Sequence, residues 1–137
     1  MSGKRFAFFM QEDKKHILLV EDDEMLSKAL GDALVGAGFA VAIGSDGEMG
    51  LALAKKSPPD LMILDLTLPK LDGTELLRRA RLESALVDTP TIILTNRDDV
   101  ESLSKTLESG PVDFLIKHEQ RLEQILALVK KRLNVSA

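Results

Sequence analysis

The stretch ILLVEDDEM, residues 17–25, joins four apolar residues directly to four acidic ones. Carboxylates this close repel one another, and burying them is costly unless a positive charge neutralises them. Two explanations are open: the acids begin a solvated helix, whose first turn favours negative charge, or they hold a cation. For Asp23 and Glu24 the helix start is the better explanation, whereas Glu21 and Asp22 directly follow the apolar run and are candidates for a site.

Five short apolar runs recur along the chain, and helical patterns lie between them. The second to fourth runs are nearly continuous in apolar character, which is typical of strands covered on both faces. The alternation predicts an α/β fold, a (βα)5 doubly wound parallel sheet of five strands. The predicted strands are residues 16–20, 39–43, 61–64, 91–94 and 112–116, and the predicted helices are residues 24–37, 46–56, 74–86, 98–109 and 119–133.

Composition restricts the function classes. The 137 residues suffice for one domain, and we expect residues 1–15 to be an N-terminal extension and residues 16–137 to be the domain. The net charge of −4 argues against direct binding to nucleic acid or to an anionic membrane. The chain has no cysteine, which excludes disulfides and Cys-based metal sites, and no apolar run long enough to span a bilayer. A cytoplasmic location is compatible with these features.

Polar residues follow the predicted strands at one edge of the sheet, where ligands bind in folds of this type. Glu21 and Asp22 follow the first strand, Asp65 and Thr67 the third, and Thr95 the fourth, and Lys117 lies at the end of the fifth. Three carboxylates around a small pocket suit Mg²⁺. An Asp can also act as a nucleophile and form an aspartyl phosphate, and a metal, a lysine and a hydroxyl can neutralise the transferring phosphoryl group.

Four stretches in this order resemble the response-regulator receiver domains of bacterial two-component signalling: ILLVEDDE, PDLMILDLTLPKLDGTELL, TPTIILTN and GPVDFLIKHE. The resemblance covers residues 16–133 and implies a flavodoxin-like receiver fold similar to single-domain chemotaxis regulators. It also implies a signalling phosphoacceptor rather than an enzyme, with at most self-phosphorylation from small donors and autodephosphorylation.

The resemblance also implies roles for individual residues. Asp65 is similar to the phosphoacceptor, with Lys117 and Thr95 assisting the transfer and contacting the phosphoryl group. Thr95 and the aromatic Phe114 match the switch positions. The implied Mg²⁺ ligands are Glu21, Asp22, Asp65 and the backbone carbonyl of Thr67.

The implied partners are a histidine kinase or histidine phosphotransfer protein and a downstream protein target. In the family, phosphorylation alters a surface formed by the fourth helix, fifth strand and fifth helix, through which a homodimer is also possible. Because residues 119–133 run almost to the end of the given sequence, we expect no DNA-binding effector within these residues, and a longer protein that contains this domain stays an open alternative.

Three residues depart from the family pattern: His118, Asn96 and Phe114, whose ring lacks the hydroxyl of a tyrosine switch but can still change rotamer. His118 replaces a proline that usually follows a cis peptide bond, and a non-proline cis bond is costly, so we expect a trans bond and a displaced Lys117. Asn96 stands where a small residue is usual, and its bulk could alter access of the hydrolytic water.

Three alternatives remain open. The first is a degenerate receiver that binds protein without phosphorylation. The second is a phosphatase of the haloacid dehalogenase type, disfavoured because Thr67 stands where a second Asp is needed. The third is a flavin binder, disfavoured because the acidic strand ends would repel a flavin phosphate.

Overall fold

The structure is a computed structural model and describes residues 14–96 and 111–135. Five parallel strands form one sheet in the order β2-β1-β3-β4-β5. This arrangement confirms the predicted doubly wound α/β fold. The strands are β1 (His16–Val20), β2 (Ala40–Gly44), β3 (Leu61–Asp65), β4 (Thr91–Thr95) and β5 (Val112–Ile116).

Helices connect the strands and cover the sheet. The helix predicted at residues 98–109 and residues 1–13 of the predicted N-terminal extension lie outside the described residues. Within the described part of the chain, no helix is both long enough and apolar enough to cross a membrane. The helices are α1 (Glu24–Gly36), α2 (Gly47–Lys56), α3 (Gly73–Ala80) and α4 (Leu122–Leu133).

Two apolar layers cover the two faces of the sheet. Because successive side chains of a strand point to opposite faces, Leu18 and Val20 pack with residues of α2 and α3, whereas Ile17 and Leu19 pack with residues of α1 and α4. Every residue of β3 and β4 is buried, so the continuous apolar runs there correspond to strands covered on both sides.

Side-chain caps begin α1 and α2 where the sequence indicates. The carboxylate of Asp23 accepts hydrogen bonds from the backbone N–H groups of Met25 and Leu26. Asp46 accepts one from Met49 in the same way. These carboxylates satisfy amide donors that the first turn of a helix leaves free. Asp23 therefore belongs to the helix start, as predicted.

Two helix boundaries differ from the prediction. The third predicted helix, 74–86, ends at Ala80 because the chain turns and the Arg81 guanidinium donates to the carbonyl of Leu86, 2.7 Å away. Leu82, which falls within the predicted helix, lies in this turn and is 75% exposed. The last predicted helix, 119–133, begins only at Leu122, after a capping contact in which the Gln124 side chain accepts from the Arg121 N–H at 2.8 Å.

The strand order reverses direction between β1 and β3. β2 lies on one side of β1, and β3, β4 and β5 follow in sequence on the other. In open parallel sheets this switch point forms a crevice beyond the carboxyl ends of the strands. Glu21 directly follows β1 and Asp65 ends β3, so both residues lie at this crevice.

Candidate functional site

Three carboxyl groups meet at the crevice. Glu21, Asp22 and Asp65 each have a carboxylate oxygen within 4.8 Å of the others. Glu21 and Asp65 are buried, with 1% and 3% of their surfaces exposed, while Asp22 is exposed. The structure thus brings together the three acids that the sequence placed at the ends of two separate strands.

Lys117 is the cation that faces these acids. Its Nζ lies 2.7 Å from Asp65 Oδ2, to which it donates, and 2.8 Å from Glu21 Oε1. Its backbone N–H donates to the carbonyl of Thr95 at 2.7 Å, which fixes the end of β5 beside β4. The expected trans bond before His118 is present, and His118 adopts a φ of 66°. The expected displacement of Lys117 is wrong, because its long side chain still reaches both carboxylates.

The charges in the pocket are not balanced. Three carboxyl groups face one ammonium group within the described part of the chain. Burial, together with the close approach and negative charge of Asp65, raises the pKa of Glu21 to about 8, although Lys117 acts in the opposite direction. Burial also disfavours the charged form of Lys117, but Asp65 and Glu21 outweigh this effect and raise its pKa.

One carboxylate oxygen has an incomplete set of partners. Glu21 Oε2 accepts from the Asp22 N–H at 3.0 Å, whereas the buried Oε1 has no partner in hydrogen-bond geometry. The contact of Oε1 with Lys117 is therefore a close ion pair with unfavourable angles. A buried oxygen without a proper donor, beside excess negative charge, is the environment that a hard divalent cation stabilises. The residues therefore fit Mg²⁺.

The remaining predicted residues lie at or near the crevice. The Thr67 N–H donates to Asp65 Oδ1 at 3.2 Å. The buried hydroxyl of Thr95 donates to the carbonyl of its neighbour Asn96 at 3.1 Å. Phe114 is half-buried and lies on the same face of the sheet as Thr95, because Ile93 pairs with Phe114 and Thr95 pairs with Ile116.

Sequence reasoning missed Gly73, which holds the loop after Asp65 against the site. Its N–H donates to the carbonyl of Leu66 at 2.8 Å. A Cβ atom at Gly73 would lie 2.3 Å from the backbone oxygen of Asp65, so only glycine permits this approach. The signal was present in the turn sequence Leu71-Asp72-Gly73, since Asp72 caps α3 by accepting from the N–H of Glu75.

The chain has a parallel sheet of (βα) units, and three acids and one lysine lie together at its switch point. This combination is typical of the receiver class of signalling domains. The family model of the response regulator receiver domain matches residues 17–130. The chain belongs to this family.

Relatives and solved structures agree with this assignment. Transcriptional regulatory protein QseB of Haemophilus influenzae is 42% identical over 119 residues, which are 85% of this chain and 53% of that protein. The chemotaxis protein CheY4 of Vibrio cholerae superposes with a TM-score of 0.81 at 27% identity and covers 88% of this chain and 99% of its own. A CheY-like receiver domain protein of Methanospirillum hungatei has the same TM-score at 26% identity and covers 89% and 95%. The chain spans about half the length of the sequence relatives it matches.

Proposed function

We propose that Asp65 accepts a phosphoryl group from a histidine kinase or histidine phosphotransfer protein in a Mg²⁺-dependent reaction. Glu21, Asp22 and Asp65, with the backbone carbonyl of Thr67, would hold the ion. Bound there, Mg²⁺ supplies positive charge that lets a phosphate approach a group of carboxylates.

The residues of the chain have separate tasks in this proposal. An Asp65 carboxylate oxygen attacks phosphorus, a new P–O bond forms, and the bond from phosphorus to the donor nitrogen breaks. The electron pair of that bond stays on the donor imidazole. The ring leaves neutral when its other nitrogen already carries a proton, and otherwise the departing nitrogen takes up a proton from solvent to give the same neutral ring. The Lys117 ammonium, already 2.7 Å from Asp65, neutralises the developing charge on the phosphoryl oxygens.

The new charge on Asp65 is then proposed to alter a partner-binding surface. The Thr95 hydroxyl would leave the Asn96 carbonyl and donate to the phosphoryl group, and Phe114 would change rotamer on the same face of the sheet. Such a local charge event biases an element with two stable arrangements. Because QseB is named a transcriptional regulatory protein, control of transcription is the proposed output of the whole protein.

The observation that carries the proposal is the position of Asp65. It is 3% exposed, lies at the switch point, contacts Lys117 and faces two further acids. A carboxylate that served only the fold would not need to be buried beside two others. A receiver used only as a binding module has no requirement for this arrangement.

The test is incubation with Mg²⁺ and acetyl phosphate, followed by intact-mass measurement. We expect the mass of one phosphoryl group to be added, and we expect Asp65→Asn and EDTA each to abolish the gain. Asp23→Asn is the matched control, because Asp23 caps α1 and should leave phosphorylation unchanged. Failure of the unmodified chain to gain mass with several small donors, while Mg²⁺ still binds, would favour the phosphorylation-independent binding module.

A further inference from the structure

An apolar cavity of about 150 Å³ lies at the end of the sheet opposite the acidic site. It opens beside the first residues of β1 and β2 and the end of α2. Its rim includes the polar residues His16, Lys56 and Ser57. Its apolar lining consists mainly of Ile17, Leu18, Val41, Ala42, Leu53 and Pro59.

The cavity exists because an edge strand carries small side chains at a position that should cover the core. Ala42 pairs with Leu18, so both side chains lie on the face covered by α2. Leu18 is 3% exposed, but Ala42 has only a methyl group and is itself exposed. Leu53 of α2 is only partly buried against this cluster. A hydrophobic side chain from elsewhere would complete the packing.

We propose that the N-terminal extension fills this cavity, with one phenyl ring from its segment Phe6-Ala7-Phe8-Phe9-Met10. The size fits, because a cavity of roughly 150 Å³ with an apolar lining accommodates a benzene ring. The segment contains three of the five phenylalanines of the chain.

The chain connection favours this occupant over an unrelated partner. The described structure begins at Lys14, two residues before His16, which lines the cavity. The carbonyl of Lys15 accepts from the N–H of Ala40, so the chain enters the sheet directly beside the first residue of β2. Phe9 precedes His16 by a length of chain that can span up to roughly 24 Å when extended. The cavity extends only about two residues along β1, or about 7 Å.

Charge is compatible with the extension. Glu12 and Asp13 can pair with Lys56 at the rim of the cavity, although Lys14 and Lys15 directly follow them before β1. Exposed pairs of this kind contribute little energy, but they orient a segment whose affinity comes from apolar contact. Because the segment is part of the same chain, its docking needs no second molecule, and the covalent connection gives the segment a high effective concentration at the cavity.

The test compares the full chain with a chain lacking residues 2–13, using methyl NMR spectra and thermal unfolding. We expect the methyl resonances of Val41 and Leu53 to shift on truncation and those of Val35, on the exposed side of α1, to stay in place. We expect the unfolding midpoint to fall by about 4 to 8 °C, the size of effect that loss of one buried ring has in a domain of this length. Phosphorylation by acetyl phosphate should be unchanged, since the cavity lies at the other end of the sheet.

Single substitutions identify which phenylalanine fills the cavity. Phe6→Ser, Phe8→Ser and Phe9→Ser should be compared singly, and one of them should reproduce the effect of truncation, whereas Lys4→Ser should not. Ala42→Leu fills the cavity from within, so truncation should cost this variant little. Unchanged Val41 and Leu53 resonances on truncation would overturn the proposal. Shifts that appear only at high protein concentration would also overturn it, because they would place the extension of a second copy in the cavity.

Discussion

Replacing Asp65 by asparagine should stabilise the fold when no divalent cation is present. At pH 9, above the pKa of about 8 of Glu21, the Glu21 carboxylate adds its charge to the acidic pocket. The carboxylate oxygens lie within 4.8 Å of one another, and at an effective dielectric constant of 20 two unit charges at that limit repel by about 3.5 kcal/mol, while a pair at 2.7 Å attracts by about 6 kcal/mol. Two repulsions of at least this size and one attraction act on Asp65, which leaves a net repulsion of at least about 1 kcal/mol.

Asparagine also removes the cost of burying the Asp65 charge while keeping an oxygen for Lys117. We therefore expect a gain of about 1 to 2 kcal/mol in the free energy of unfolding. The assay is urea denaturation at pH 9 in EDTA, followed by circular dichroism. Asp23→Asn, which keeps a capping side chain, should change stability by less than about 0.5 kcal/mol.

Mg²⁺ should make the unmodified chain more stable than Asp65→Asn. An ion at one hundred times its dissociation constant stabilises the native state by about 2.7 kcal/mol. The unmodified chain should gain this amount, and Asp65→Asn should gain much less because it lacks one ligand. A loss of more than about 1 kcal/mol for Asp65→Asn in EDTA would refute the reasoning, since it would show that the pairing with Lys117 outweighs both repulsions.

Three further predictions test other parts of the account. Gly47→Ala should lower the free energy of unfolding, measured by urea denaturation, by more than about 2 kcal/mol, because the new Cβ would collide with the backbone oxygen of Leu71. Gly36→Ala is the control: a Cβ there would have no neighbour within 4 Å, so this variant should be neutral or more stable by up to about 1 kcal/mol. In EDTA, the raised pKa of Glu21 means that the native state binds more protons than the unfolded state between pH 4.5 and about 8. Stability should therefore fall as pH rises through this window, and urea midpoints at pH 6 and pH 8.5 should show a smaller fall for Glu21→Gln. Arg132→Gln breaks a two-point contact with Asp113 at 2.6 and 2.7 Å. Because this ion pair is open to solvent, double-mutant cycles should give only a weak coupling, well below that of a buried pair.

The sequence predicts the sheet and the grouping of its acids because both follow from short-range patterns. Continuous apolar runs define β3 and β4, and the parallel topology then places Glu21 and Asp65 at the same edge. The starts of α1 and α2 are also predictable from the sequence, because the capping residues Asp23 and Asp46 lie directly before the helices that they begin.

Contacts between distant segments were not predictable in this way. The early end of α3 depends on Arg81, whose guanidinium donates to Leu86, to Thr91 and to the carbonyl of Pro111. Lys117 contacts Asp65 even though the next residue, His118, adopts a left-handed conformation. This contact depends on the length of the lysine side chain and on the position of the end of β5. Neither feature has a periodic signature, because each arises only after the chain has folded.

The most direct test of the central claim locates the phosphoryl group by residue. The chain is incubated with Mg²⁺ and acetyl phosphate, and the acyl phosphate is reduced with borohydride, which converts a phosphorylated aspartate to homoserine. Tandem mass spectrometry then identifies the altered position. We predict homoserine at Asp65 alone, with none when EDTA replaces Mg²⁺. Homoserine at Asp22 or Asp23, or a phosphorylated chain with Asp65 unaltered, would contradict the account.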